Sequence, residues 1–350
     1  MKLSIVTVYQ SYNCGSFWQA FALQKALTEQ GHDVTFLKNK FATDAHLWFR
    51  LLQAAKYLCT GKTKRAKHVL KVYDNFRKAR KTQAVVSFAA SADAVIYGSD
   101  TIWNIDDPYF RKNWKRFFGE DYSGTKVAYG ASIGSTAVKD LLSRKELCEA
   151  VSSFGSIAVR DRITCEFVKA CCGDDRQVSF VVDPTMLLHR DTYEQFVKPV
   201  DQHGYILFYH FGYIAENVKK QVRTFANETG RKIVVFGEDL GWADTYVSND
   251  PFLMMSYYKH ADYVITNTFH GNIFSIIFNK QFISFGKEKQ KVCALLEQFG
   301  LSERLTDPQA QLAPLFAQTI DFTYANEKRE ELRQTSLEFL QQQIEKVKGA

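Results

Sequence analysis

The sequence predicts an α/β protein with two Rossmann-like domains that face a shared cleft. Short β-branched runs alternate with helical patterns almost throughout the 350 residues, which is typical of parallel sheets joined by crossover helices. The chain is also too long for one small hydrophobic core. The alternation pauses once, where Pro199 and Gly204 interrupt it, and such residues favour a boundary.

Nine apolar runs are predicted as strands, and they divide between the two halves of the chain. They are residues 4–8, 34–37, 94–97, 127–130 and 157–159 in the first half, and 206–209, 233–236, 263–266 and 282–285 in the second. We therefore expect an N-terminal α/β domain over residues 1–195 and a C-terminal α/β domain over residues 203–325. A helical insertion is expected at about residues 45–85. Apolar residues at helical spacing predict a C-terminal amphipathic helix over residues 326–350.

The composition is that of a folded, water-soluble chain, with 46% apolar and 24% charged residues. The first residues enter a strand pattern directly and do not resemble a signal peptide, so we expect a cytoplasmic location. The seven cysteines are scattered and odd in number, which argues against a disulfide framework. None has zinc-ligand spacing, so no metal site is expected. No glycine cluster matches a dinucleotide-binding or P-loop motif.

The positive charge is concentrated in one segment. Residues 50–81 contain eleven lysines and arginines and a single acid, Asp74. The rest of the chain is slightly acidic, so the pattern indicates one anionic surface or ligand and not a nucleic-acid-binding protein. Aromatic and leucine residues interleave with the cations or flank them, namely Trp48, Leu51, Leu52, Tyr57 and Leu58. The segment fits peripheral contact with the inner face of an anionic membrane, or equally a solvated helix that covers the first domain.

His270 is the first candidate catalytic residue. The predicted strand over residues 263–266 ends just before it, and a helix is expected to begin near Gly271. A helix N-terminus binds phosphate, glycine allows a ligand to approach the backbone, and histidine titrates near neutral pH. Phosphate binding and proton transfer can therefore share this position. The alternative is that His270 merely caps the helix.

Further candidates follow other strands of the first half. Asp100 could orient or deprotonate a sugar hydroxyl, with Trp103 as a stacking face. Equally, Ser99 or Asp100 could cap a following helix. Asn13 and Gly15 lie in the first strand–helix loop, where sheets of this kind usually contact ligands, although a plain turn would explain them as well.

Four segments resemble the polysaccharide pyruvyl transferases. They are Thr-Phe-His-Gly-Asn-Ile-Phe-Ser-Ile-Ile-Phe-Asn-Lys at 268–280, Asn-Cys-Gly-Ser-Phe-Trp-Gln-Ala at 13–20, Gly-Ser-Asp-Thr-Ile-Trp-Asn at 98–104, and Ala-Val-Arg-Asp at 158–161 followed by Asp-Pro-Thr at 183–185. The resemblance runs from about Leu3 to Phe285. Two positions depart from the family pattern: Thr101 stands where glutamine is usual, and Thr268 where arginine is frequent.

The resemblance implies a GT-B-like fold and a reaction with phosphoenolpyruvate as donor substrate and no further cofactor. Two hydroxyls of one sugar, in a polysaccharide or a lipid-linked glycan precursor, would add to C2 of the donor and yield a cyclic pyruvate ketal and phosphate. His270 is then expected to protonate C3. Arg160 is expected to grip an anionic group of the donor, unless it belongs to a structural ion-pair network with Asp161.

Within the signature, Thr268, Gly271 and Asn272 are the expected substrate contacts. Two other functions remain open at this point. A nucleotide-sugar glycosyltransferase can share the same fold. A non-catalytic glycan-binding protein would also fit, because the missing arginine at Thr268 removes a phosphate contact.

Overall fold

A computed structural model describes residues 1–38, 44–83, 85–86, 92–239 and 241–349, of which 44–46, 85–86 and 349 are described by their backbone alone. These residues form two parallel sheets. The strands of the first sheet are β1 (Lys2–Val6), β2 (Asp33–Leu37), β3 (Val85–Val86), β4 (Ala94–Tyr97), β5 (Lys126–Ala131), β6 (Ser156–Val159) and β7 (Val178–Phe180). Those of the second are β8 (Tyr205–Tyr209), β9 (Lys232–Phe236), β10 (Thr245–Val247), β11 (Tyr263–Thr266) and β12 (Gln281–Ser284).

Helices connect the strands as crossovers. They are α1 (Cys14–Glu29), α2 (Asp44–Cys59), α3 (Thr63–Ala79), α4 (Pro108–Lys112), α5 (Trp114–Phe117), α6 (Val138–Leu142), α7 (Lys145–Ser152), α8 (Arg162–Cys172), α9 (Arg190–Glu194), α10 (Glu216–Thr229), α11 (Pro251–His260), α12 (Phe269–Ile277), α13 (Gln290–Gln298), α14 (Leu312–Ala317) and α15 (Thr323–Gly349). Short 3-10 turns lie at Arg80–Thr82, Pro184–Met186 and Ser302–Arg304. None of the helices in the described part has the length and apolarity needed to cross a bilayer.

Both sheets have the doubly wound topology. The strand order is β3-β2-β1-β4-β5-β6-β7 in the first and β10-β9-β8-β11-β12 in the second. The order therefore reverses between β1 and β4, where Val6 pairs with Tyr97, and between β8 and β11, where Tyr209 pairs with Thr266. Parallel sheets bind ligands in the crevice at the carboxyl ends of such switch points. A ligand site is therefore expected at the loops that follow these four strands.

The predicted fold class is confirmed, since two Rossmann-like sheets carry crossover helices and a C-terminal helix follows. All nine predicted strands are present. Three strands that were not predicted, β3, β7 and β10, are two or three residues long and lie at sheet edges. Such short segments are not long enough to show a period of two in the sequence.

Helix α1 of the first domain packs into the second domain. Trp18 is fully buried, and its indole Nε1 donates a hydrogen bond to the carbonyl oxygen of Pro251 at the start of α11. Its ring meets Phe252 and Phe274 edge-on, with centroids 5.9 and 6.5 Å apart. One continuous cluster of buried side chains thus joins the two sheets, and this shared core fixes how the carboxyl edges face each other.

The basic insertion is a hairpin of α2 and α3. Arg65 of α3 reaches Glu238 in the second domain, with the Nε and Oε1 atoms 2.5 Å apart. Lys64 pairs in the same way with Asp239 at 3.1 Å. The hairpin therefore connects the first domain to the loop after β9 in the second domain.

Helix α15 begins at Thr323, three residues before its predicted start, and returns to the first domain. Ser336 Oγ accepts a hydrogen bond from the amide of Val182. Ser156 Oγ donates to Gln343 Oε1 at 2.5 Å. The last helix thus satisfies polar groups of the first domain, including one on β6.

Candidate active site

The N-terminus of α1 meets the N-terminus of α12 across the cleft. The Asn13 side chain caps α1 by accepting hydrogen bonds from the amides of Gly15 at 2.8 Å and Ser16 at 3.4 Å. A Cβ atom on Gly15 would lie only 2.2 Å from Nδ1 of His270. Glycine at position 15 is therefore a condition for the imidazole to sit against the first turn of α1.

His270 lies in the first turn of α12. The helix begins at Phe269, two residues earlier than the sequence predicts. Thr268 is the capping residue, because its hydroxyl accepts a hydrogen bond from the amide of Gly271 at 2.9 Å. Nε2 of His270 lies 3.6 Å from Oδ2 of Asp183. The side chain is 11% exposed, so the imidazole is almost fully enclosed.

Arg160, at the end of β6, joins three loops. Its Nη1 donates to Oδ2 of Asp183 at 2.5 Å and to Oγ of Ser99 at 3.2 Å. Its Nη2 lies 3.8 Å from Oδ1 of Asp100. The expected alternative, a network of Arg160 with Asp161, is wrong, because the Asp161 carboxylate caps α8. Arg160 is instead ion-paired with the carboxylates that face His270.

Both of these carboxylates are held in the ionised form. Burial alone would raise the pKa of Asp183, but His270, the Arg160 guanidinium and the hydrogen bond from Thr185 outweigh it and hold the pKa well below its usual range. Burial likewise opposes ionisation of Asp100, and Arg160, His270 and the Ser16 hydroxyl lower its pKa. The site therefore presents two carboxylates and one guanidinium around a single imidazole.

Asp100 has a left-handed backbone, with φ of +77°, a conformation that aspartate tolerates better than most residues. This conformation turns Oδ2 toward α1, where it accepts a hydrogen bond from Ser16 Oγ at 2.8 Å. The alternative that Ser99 or Asp100 caps a following helix is wrong, because the next helix, α4, is capped by Asp107. The buried Ser99 Oγ contacts Gly130 as well as Arg160.

Three residues that were predicted to contact the substrate instead make contacts inside the protein. Trp103 is fully buried, and its Nε1 donates to the carbonyl of Phe117, so the prediction of a sugar-stacking face is wrong. Asn272 is fully buried, and its Nδ2 donates to the carbonyl of Thr268. A Cβ atom on Gly271 would lie 2.1 Å from Oγ1 of Thr266. This glycine therefore permits the strand-to-helix contact and does not leave room for a ligand.

A cleft of about 640 Å³ opens beside this cluster. Its walls are the loops after β6 and β7 on one side and α12 and α13 on the other, and Arg160, Arg162 and Lys291 line it. The Phe269 ring lies between two of these cations, with its centroid 5.0 Å from the Arg160 guanidinium carbon and 5.7 Å from the Lys291 ammonium. Partial burial and the charge on Arg160 lower the pKa of Lys291. The cleft can receive an anionic small molecule.

The family model of the polysaccharide pyruvyl transferases matches residues 13–287. This match spans the capped start of α1, the switch point of the second sheet, Arg160, Asp183 and the α12 signature. The chain belongs to the polysaccharide pyruvyl transferase family. The family resemblance read from the sequence is thereby confirmed, and the family is one of transferases. No curated protein matches the chain at a significant level.

The first of two solved structures with a similar fold confirms the GT-B-like arrangement of this pyruvyl transferase family member. The UDP-GlcNAc 2-epimerase from Methanocaldococcus jannaschii is similar over 96% of this chain and 99% of its own, with a TM-score of 0.51 and 10% identity. The glycosyltransferase SnogD from Streptomyces nogalater is similar over 99% of both chains, with a TM-score of 0.45 and 11% identity. At these identities the likeness concerns the fold.

In this pyruvyl transferase family member, the structure places three further residues at the site that the sequence did not single out. Asp183 lies between Arg160 and His270, and its signal was present, since it opens the Asp-Pro-Thr segment of the family resemblance. For Ser16 the signal was weaker and consisted only of its position in the first turn of α1. Lys291 had none, because it reaches the cleft only through the packing of α13 beside α12. Among the described residues no group of three or more potential ligands could hold a metal ion.

Proposed function

We propose that this chain moves the enolpyruvyl group of phosphoenolpyruvate onto a sugar and forms a pyruvate ketal. The acceptor belongs to a polysaccharide or to its lipid-linked precursor, and the reaction takes place on the cytoplasmic side. The observation that carries the proposal is the position of His270. It rests against Gly15, 3.6 Å from Asp183, at the point where two helix N-termini and Arg160 converge.

The reaction requires one proton at carbon and releases one phosphate. Protonation of C3 turns the vinyl CH₂ into a methyl group, and one sugar hydroxyl oxygen forms a bond to C2. The second hydroxyl oxygen then bonds to C2 while the bond from C2 to the phosphate oxygen breaks. Of the two hydroxyl protons, one replaces the proton delivered to C3 and the other leaves on the phosphate. The enzyme therefore needs an acid, a group that accepts a hydroxyl proton and cations for the donor.

The residues of the cleft suit these tasks. His270 is the acid, because its ring is enclosed beside the cleft, against Gly15 and 3.6 Å from Asp183. Asp183 supplies negative charge next to that ring, and Asp100 accepts a proton from an acceptor hydroxyl. Arg160 retains donor capacity beyond its contacts with Asp183 and Ser99, since a guanidinium carries five N–H groups.

The donor carries about three negative charges, and the cleft offers Arg160, Arg162 and Lys291. Thr268 supplies no cation, because a threonine side chain is uncharged, and its hydroxyl already caps α12. Lys291 lies beside the Phe269 ring, next in sequence to Thr268, and supplies positive charge where family members frequently have arginine. The helix N-termini of α1 and α12 add partial positive charge.

Phosphate release tests the proposal. The protein is incubated with phosphoenolpyruvate and a panel of candidate sugars and lipid-linked glycans, and free phosphate and ketal product are measured. The proposal requires phosphate release that depends on both substrates. Consumption of a nucleotide sugar in a parallel panel would instead establish a glycosyltransferase. Sugar binding without turnover of either donor would establish a glycan-binding protein.

A further inference from the structure

Helix α2 of the insertion places its apolar residues on the solvent side. Trp48, Phe49 and Leu52 are 69%, 62% and 64% exposed, and Leu47, Leu51 and Leu58 are also exposed. Trp48 and Leu52 are four residues apart, as are Leu47 and Leu51, so they form one stripe along the helix. An outward apolar stripe on a surface helix indicates an interaction site.

Contacts on the other face fix the rotation of α2. The guanidinium carbon of Arg50 lies 4.1 Å from the centroid of the Tyr12 ring, and Ala54 is 3% exposed. Tyr57, which the sequence placed among the residues of a membrane-facing surface, is half-buried on this inner face. Arg50, Ala54 and Tyr57 thus lie on the inner face of the helix, and its large apolar residues face outward.

Unpaired cations lie on the same insertion as this stripe. Five exposed lysines of the hairpin and of the 3-10 turn that follows it make no ion pair with any described side chain, namely Lys56, Lys62, Lys67, Lys71 and Lys81. By contrast, Lys64 and Arg65 pair with the second domain, and Arg77 and Lys78 share Asp74. The hairpin therefore carries positive charge that internal partners leave uncompensated, as well as exposed aromatic and leucine side chains.

We propose that the α2–α3 hairpin docks on the surface of an anionic lipid bilayer. Trp48, Phe49 and Leu52 enter the boundary between headgroups and acyl chains, and the unpaired lysines contact lipid phosphates. A helix with one apolar face and nearby lysines binds in the plane of such a surface, and anionic lipids attract each nearby lysine. With 16 residues, α2 is too short to span a bilayer.

Charge argues for this occupant and against a second copy of the chain. An isologous dimer through α2 would bring two strongly basic hairpins together, and juxtaposed like charges oppose association. An anionic bilayer instead offers acyl chains to the apolar stripe and phosphate groups to the lysines. The proposal rests on the hairpin alone and does not depend on the reaction catalysed in the cleft.

Co-sedimentation of the full chain with vesicles tests the docking. One set of vesicles is phosphatidylcholine, and the other is an equimolar mixture of phosphatidylcholine and phosphatidylglycerol. At low salt we expect retention on the mixed vesicles only. Retention should fall as salt rises, because charges separated by more than about 8 Å are screened at physiological ionic strength. Equal retention on both kinds of vesicle at low salt would overturn the proposal.

Two double variants separate charge from apolar contact. Lys67→Glu with Lys71→Glu should lower the partition coefficient by at least about 25-fold, at about fivefold per lysine removed. The matched control is Lys139→Glu with Lys169→Glu, which changes the net charge equally at exposed positions outside the hairpin. The control should weaken binding only slightly, because most of the attraction is local. Equal losses in the two variants would contradict docking through the hairpin.

Trp48 reports on the apolar contact. Its fluorescence should shift to the blue on mixed vesicles, and Trp48→Phe should abolish this shift while the protein still binds. Trp48→Ser with Leu52→Ser should weaken binding, whereas Tyr324→Ser, at an exposed aromatic residue of α15, should not. If sedimentation velocity without lipid shows a dimer that Trp48→Ser dissolves, the face belongs to a self-association interface and the proposal fails.

Discussion

Nδ1 of His270 lies so close to the first turn of α1 that a Cβ atom on Gly15 would come within 2.2 Å of it. The two residues belong to different domains, and each lies near the switch point of its own sheet. The imidazole is thus positioned by contact with the opposite domain as well as by its own helix. Four predictions follow from this cluster.

His270→Ala should lower turnover by about 10²–10⁴-fold, the usual contribution of a positioned general acid. Steady-state phosphate release from phosphoenolpyruvate and acceptor measures the effect. His189→Ala is the control, because His189 is exposed whereas His270 is enclosed, and it should retain full turnover. A folded His270→Ala protein whose turnover stays within a few-fold of the parent would exclude His270 as the acid.

Gly15→Ala should perturb His270 without changing any ionisable group. The new methyl group must displace the imidazole, and a shift of about 1 Å in a reacting group costs on the order of 10²-fold in turnover. Overpacking should also reduce the free energy of unfolding by about 1–3 kcal/mol. Gly155→Ala provides the matched control, since its Cβ atom would meet only the Lys126 carbonyl oxygen, at 3.5 Å. Full activity in Gly15→Ala would show that the contact is not needed.

Arg160→Lys should weaken the binding of phosphoenolpyruvate, because an ammonium group cannot reproduce the guanidinium fork. We expect a loss of about 1.5–3 kcal/mol in the binding free energy, measured by calorimetric titration. Arg144→Lys, at an ion pair with Glu146 away from the cleft, should bind the donor like the parent. Equal affinities of Arg160→Lys and the parent would mean that Arg160 serves only its ion pairs.

Asp183→Asn should destabilise the fold in a pH-dependent way. At neutral pH it leaves Arg160 buried without its closest carboxylate, which costs about 3–5 kcal/mol. The folded pKa of Asp183 is depressed, so its stabilising contribution is complete above the unfolded pKa of about 4 and is lost as the pH falls toward the folded pKa. The difference between parent and variant should therefore shrink below about pH 4.

Denaturant unfolding at a series of pH values measures this difference. Asp307→Asn, at an exposed pair with Lys287, should cost less than about 1 kcal/mol at neutral pH. A deficit in Asp183→Asn that stays constant down to pH 3 would show that the carboxylate charge is not its source.

The sequence predicted the fold and the centre of the site because both depend on local patterns. Strand and helix periods are visible within a few residues, and doubly wound sheets bring the loops of Gly15, Asp100, Arg160 and His270 to one crevice. No pairing of residues had to be known in advance to expect them together.

The remaining features of the site and of α2 depend on tertiary contacts that the sequence does not show. Trp103 follows a strand, as a ligand-contacting residue might, but its ring stacks with Phe118 in the core, with centroids 5.7 Å apart. Lys291 comes from a helix whose place is set by contacts remote in sequence. The sequence also showed that α2 is amphipathic. Which of its faces is exposed to solvent depends on the contact between Arg50 and the Tyr12 ring.

The return of α15 makes the first domain discontinuous in the chain. The amide of Val182 and the hydroxyl of Ser156 have partners at positions 336 and 343. An N-terminal domain usually folds before the next one emerges from the ribosome. In this protein the first domain can complete these hydrogen bonds only after the residues of the second domain have been synthesised.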